Sequence, residues 1–98
     1  MTLDEITSAL RTRVGDDCGL NATIKFDCGA DGTVRIDGKS TPNTVTNSSG
    51  EADCVVGMSL ADLSALIEGE LEPATAFMTG RMKVSGDMSV ALRLQRVM

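Results

Sequence analysis

A chain of 98 residues makes one domain around one core, with no room for a separate catalytic module, so residues 1–98 are read as a single unit. A net charge of −5 and only two aromatic side chains, Phe26 and Phe77, exclude the basic field and stacking platforms of a nucleic-acid binder. The complete lack of His removes the commonest general base, and with it every hydrolytic or acyl-transfer triad built on imidazole.

The chain opens on Thr2-Leu3-Asp4-Glu5, a capping box in which Thr2 and Glu5 satisfy each other's free backbone donors. Leu3, Ile6, Leu10 and Val14 follow at helical spacing, and Gly15-Asp16-Asp17 stops the helix. Ala22, Ile24, Phe26 and Cys28 then alternate with Thr23, Lys25 and Asp27, the period of a half-buried strand. Residues 29–32 form its hairpin loop, and the strand returns over Thr33–Asp37 with Val34 and Ile36 on the buried face. The polar stretch 38–50 is expected to hold a short edge strand around 44–47. Residues 52–58, with Cys54, Val55 and Val56 in a run, read as a strand covered on both faces. Ser59 caps the next helix, which carries Leu60, Leu63, Leu66 and Ile67. No repeat, heptad or low-complexity linker interrupts this order.

The last quarter is the most informative part. Pro73 suits a first helical turn, where its missing N–H is not needed, and Gly80 suits the left-handed residue that ends a short helix. Arg81, Lys83 and Ser85 alternate with Met82 and Val84, as in a strand with one solvated face, and Gly86-Asp87 closes the strand and caps a final helix. Leu92, Leu94 and Val97, with Met88 and Ala91 adjoining, make that helix amphipathic.

Ala76-Phe77, Gly80-Arg81-Met82-Lys83-Val84 and Gly86-Asp87 stand in the order and spacing of a known signature, and on these residues the chain resembles the SCP2 sterol carrier protein family. The likeness extends along the whole chain and is weaker before Ser59. It implies an α+β, SCP2-like fold: a mixed five-stranded sheet covered by helices, with an apolar ligand tunnel between them. The wall residues it implies are Leu63, Leu66, Ile67, Phe77, Met78, Met82 and Leu92. Periodicity alone says only that they face inward, which ordinary core packing also explains. Met78, Met82 and Met88 fall within eleven residues, and flexible thioethers suit an interior that repacks around varied ligands, although methionine fills gaps in any core.

An empty apolar cavity of about 300 Å³ costs roughly 7 kcal/mol at about 24 cal/mol per Å³. Since a domain is stable by only about 5–15 kcal/mol, the ligand-free chain is expected to collapse the tunnel around its methionines and last helix, or to keep lipid. Burying a 16-carbon acyl chain gains roughly 12 kcal/mol, from which association and ordering subtract about 4–15, so binding is expected to be micromolar and weakly selective.

Cys18, Cys28 and Cys54 are an odd number without Cys-x-x-Cys spacing, which argues against a disulfide framework and a zinc site. Buried free thiols are the simpler reading. The acidic groups Asp16-Asp17 and Glu68, Glu70 and Glu72 lack the spacing of a calcium loop and read as solvated charge, so neither metal nor cofactor is expected. The N-terminal residues lack the pattern of a secretion signal, no apolar run reaches the 18 residues of a membrane span, and the chain does not end in a peroxisomal address. A cytoplasmic protein is expected. It stops at Met98 where longer members of the family carry further residues that help close the tunnel, so a different ligand size, or a lid from a second subunit in a homodimer, is anticipated.

Residues 1–80 hold five basic and thirteen acidic side chains, whereas 81–98 hold four basic and one acidic. Arg81, Lys83, Arg93 and Arg96 are therefore candidates for contact with an anionic headgroup, a coenzyme A phosphate or an anionic membrane surface. Cations near a helix C-terminus are also expected from the helix dipole alone. The resemblance implies a non-enzymatic lipid carrier for fatty acids, fatty acyl-CoA, phospholipids or sterol-like molecules. Its alternative is an accessory domain that presents a lipophilic intermediate, such as a quinone precursor, to lipid-metabolising enzymes.

Overall fold

The computed structural model describes residues 1–17 and 19–93. Helix α1 (Leu3–Val14) starts on the capping box: the Thr2 hydroxyl accepts from the Glu5 amide while the Glu5 carboxylate accepts from the Thr2 amide at 2.8 Å. These bonds hold the Glu5 carboxyl below its ordinary value. Ile6, Leu10 and Val14 form the buried stripe of this helix, and Gly15, at φ 59°, ends it.

Five strands follow, β1 (Thr23–Asp27), β2 (Thr33–Asp37), β3 (Thr44–Thr46), β4 (Cys54–Gly57) and β5 (Lys83–Gly86), in the spatial order β3-β2-β1-β4-β5. Only the central β1–β4 pair is parallel, so the sheet is mixed. The register aligns two apolar rows on one face. One runs Val34, Phe26, Val56, Val84; the other runs Val45, Ile36, Ile24, Cys54 and closes on Gly86. All these side chains are buried except Val84, which is half-buried at the edge strand.

Helix α2 (Leu60–Ile67) begins at Ser59, whose hydroxyl accepts from the Asp62 amide at 3.1 Å. It packs with α1, and the Arg13 guanidinium donates to the Ile67 carbonyl at its C-terminal end. The Arg11 guanidinium donates to the Val45 carbonyl at 3.0 Å and ties α1 to edge strand β3. The opposite sheet face is polar. Lys25 and Arg35 stand there as cross-strand partners and donate to the carbonyls of Ser49 and Glu51 in the loop that crosses it.

The polar character of that face accounts for one departure from the sequence reading. Strand β4 is not apolar-covered on both faces: Cys54 and Val56 are buried, but Val55 is only half-buried because it shares its face with Lys25 and Ser85. β-Branched residues favour a strand whichever way they point, so the run Val55-Val56 carried no face information. The described residues end with α3 (Pro73–Met78), β5 and α4 (Met88–Arg93).

Candidate apolar binding groove

Helix α3 has Pro73 in its first turn and ends in a Schellman-type turn: Gly80 takes φ 77°, its amide donates to the Phe77 carbonyl at 3.2 Å, and the Arg81 amide donates to the Ala76 carbonyl at 2.9 Å. The turn sends Arg81 out to solvent and Met82 into the core. At the far end of β5, Gly86 runs at φ 90° against the neighbouring strand, where a Cβ would stand 2.5 Å from the Asp53 carbonyl oxygen. The Asp87 amide donates to that same oxygen at 2.8 Å, and the Asp87 carboxylate then caps α4, accepting from the Ser89 hydroxyl at 2.6 Å and the Ser89 amide at 2.9 Å. These bonds from Ser89 hold the Asp87 carboxyl below its ordinary value. Gly80, Gly86 and Asp87 thus shape the backbone.

The backbone so shaped leaves an apolar groove of about 240 Å³ between α3, β5 and α4. Pro73, Ala74, Phe77 and Met78 line it from α3, Met82 and Val84 from below, and Met88, Ala91 and Leu92 from α4. All nine residues are apolar. Helix α3 is anchored through its fully buried Ala76, and α4 through Val90, so each helix turns its larger apolar side chains away from the core. Met78 is 85% exposed, Leu92 75% and Phe77 50%.

Four of the seven wall residues named from sequence, Phe77, Met78, Met82 and Leu92, come together here, and of these only Met82 is buried. Leu63, Leu66 and Ile67 are buried in the main core on α2 and are not among the groove's lining residues. The expectation that all seven face inward is therefore corrected for Phe77, Met78 and Leu92, which face an open groove. Val90, not Leu92, is the buried residue of α4, while Leu94 and Val97 lie outside the described residues. Pro73, Ala74, Val84, Met88 and Ala91 complete the lining; Met88 was visible in the methionine cluster, and Ala91 in the apolar pattern of α4. Among the described residues the space is a groove with solvent-facing walls, so its cost is exposed apolar surface rather than an empty cavity.

Arg81 and Lys83 are exposed beside the groove. Arg93 is half-buried and donates to the Leu20 carbonyl at 2.9 Å, which fastens α4 to the segment entering β1; Arg96 lies outside the described residues. Cys28 and Cys54 are buried free thiols, and Cys18 lies outside the described residues. Burial first, then Asp27 and Asp31 beside Cys28 and Asp87 near Cys54, push both thiols up, the opposite of what a nucleophilic thiolate requires. Among the described residues no group of His, Cys, Asp and Glu is arranged to hold a metal ion, and no helix is long and apolar enough to cross a membrane.

The signature of the SCP-2 sterol transfer family matches residues 18–98, which takes in the groove and all five strands. The chain belongs to the SCP-2 sterol transfer family. Sterol carrier protein 2 of Gallus gallus is 41% identical over 63 residues, 63% of this chain and 12% of that protein. The chain therefore spans about an eighth of the length of such relatives. Among solved structures, the apo form of sterol carrier protein 2 from Yarrowia lipolytica superposes with a TM-score of 0.70 at 25% identity, over 92% of this chain and 87% of the other. Palmitated SCP2L2 from Aedes aegypti superposes with a TM-score of 0.73 at 24% identity, over 99% of this chain and 94% of the other, and shares the fold. The chain thus shares the SCP-2 fold, mixed five-stranded sheet included.

Proposed function

We propose that this chain binds lipids non-enzymatically in the α3–β5–α4 groove and transfers them between sites. The observation that carries the reading is the groove itself: nine apolar side chains, several largely exposed, gathered by a motif whose glycines shape the backbone around them. Exposed apolar patches of this kind mark binding surfaces in small monomeric domains. Membership of the SCP-2 sterol transfer family supports lipid as the occupant, and the palmitated relative supports an acyl chain as one form of it.

An open groove also supports carriage over storage. The gross gain on burying a 16-carbon chain is roughly 12 kcal/mol, and association costs remove about 4–15 of it. A groove that leaves part of the chain wet keeps affinity in the micromolar range, where release is fast. Phe77, Met78, Met82 and Leu92 contact the chain in this reading, with Arg81 and Lys83 beside an anionic headgroup. Leu63, Leu66 and Ile67 support the core on which the groove rests.

Native mass spectrometry of gently purified protein, followed by solvent extraction and lipid identification, tests the proposal. A stoichiometric lipid is expected. A bare protein that also fails to take up a fluorescent fatty acid overturns it. Transfer is separated from presentation to a partner enzyme by donor and acceptor vesicles: a carrier moves its lipid to acceptor vesicles without any enzyme present. The same spectrum reads whether the chain is a monomer or a homodimer.

A further inference from the structure

Methionine is unusually concentrated around the groove. Met78, Met82 and Met88 supply three of its nine lining residues, and they differ sharply in access: Met78 is 85% exposed and Met88 48%, whereas Met82 is 5% exposed. The two accessible thioethers stand on opposite walls, Met78 at the end of α3 and Met88 at the start of α4. Neither is needed to hold the fold, because Ala76 and Val90 anchor these helices. A thioether is also the one chemically reactive group in a lining that is otherwise hydrocarbon.

We propose that Met78 and Met88 are a reversible oxidation site, at which a hydroperoxide converts the apolar groove into a polar one and releases its lipid; this rests on the lipid-binding reading above. In the step, the thioether sulfur attacks one peroxide oxygen. The S–O bond forms as the O–O bond breaks, the sulfur loses two electrons, and the proton of the transferred oxygen passes to the other peroxide oxygen, which leaves as water from hydrogen peroxide or as an alcohol from an organic hydroperoxide. The product sulfoxide is polar and accepts hydrogen bonds, and no lining side chain offers a donor to it. An alkyl chain laid in the groove then covers an unsatisfied acceptor on each wall. A dithiol-dependent methionine sulfoxide reductase reverses the change. Met82 and Met58, both buried, are shielded from the same reagent, so the switch leaves the core intact.

The test treats the whole chain with hydrogen peroxide, follows each methionine by peptide mass spectrometry, and titrates a fluorescent fatty acid before and after. Met78 and Met88 are expected to oxidise before Met58 and Met82, with the thermal unfolding midpoint unchanged and affinity for the probe about 10- to 100-fold weaker. Methionine sulfoxide reductase with dithiothreitol restores it. The Met78→Leu, Met88→Leu variant, which keeps groove volume and still carries the exposed Met1, is expected to show the same affinity before and after the treatment. Unchanged affinity in the doubly oxidised protein, or equal loss in the double variant, overturns the proposal. An untreated protein that takes up no probe overturns the lipid-binding reading instead.

Discussion

Helices α1 and α2 and helices α3 and α4 are built from similar apolar residues, yet the first pair is sealed and the second is open. Ile6 and Leu10 of α1 and Leu63 of α2 are fully buried against the sheet and each other. Phe77 of α3 and Met88 of α4 are about half exposed, and Met78 and Leu92 largely so. Length and placement account for the difference. α1 has twelve residues and lies across the β2 and β3 side of the sheet, whereas α3 has six and α4, described over six, packs on β4, β1 and the edge strand β5. Over its described residues each of these helices spans little more than one and a half turns and buries one small anchor, Ala76 or Val90, so its other described apolar side chains line the groove. The lesson is that an apolar stripe becomes core or site according to what the fold sets opposite it.

The sharpest way to break this comparison is a paired truncation. Phe26→Ala, in the fully buried row of the sheet, is expected to cost about 3–5 kcal/mol in urea unfolding. Met78→Ala, in the groove, is expected to change stability by less than about 0.5 kcal/mol. Comparable losses from both would mean that the groove is merely loosely packed core.

Gly86→Ala probes the backbone that separates the two regions. A Cβ there meets the Asp53 carbonyl oxygen at 2.5 Å with φ at 90°, so the variant is expected to lose at least about 1–3 kcal/mol and to disturb the β5–α4 wall. Gly15→Ala, at φ 59° with nothing within 4 Å of its Cβ, controls for backbone strain without the clash and should cost less.

Leu92→Asp sharpens the functional side. A carboxylate on an exposed position leaves folding nearly unchanged, but it sets a charge against any bound alkyl chain and is expected to weaken fatty-acid binding about tenfold or more. Titration of the fluorescent probe alongside thermal unfolding separates the two effects, and a stability loss that matches the affinity loss would show Leu92 to be structural.

The smallest effect concerns pH. The Lys39 ammonium, 2.9 Å from Asp53, holds that carboxyl below its ordinary value, helped by the Thr23 amide. A folded-state value below the unfolded one adds stability above the unfolded value and loses it as pH falls through the folded one, so the thermal midpoint should drop below about pH 4. Asp53→Asn is expected to lower the plateau slightly and flatten that acid limb; an unchanged limb would assign it to other carboxylates, such as Asp87, which is also held low.

How much of this was legible beforehand varies along the chain for physical reasons. Local signals translated directly: the Thr2–Glu5 box, the Ser59 cap and the first turn at Pro73 all stand where their residues put them, since each depends on bonds within a few positions. The functional side was legible as a motif but not as geometry. Phe77 and Met82 of that motif line the groove, whereas Gly80, Gly86 and Asp87 act on the backbone, a division that spacing alone does not reveal.

The amino-acid sequence by itself determined the elements, the capping chemistry, the absence of imidazole and the family, because these reside in residue types and short spacings. Only the tertiary structure decided that Leu63, Leu66 and Ile67 are core while Met78, Met88 and Leu92 face an open groove. Helical periodicity states which side of a helix is apolar, but what that side meets is set by strand order and by the close passage of Gly86 past Asp53, the latter a contact across more than thirty residues of chain.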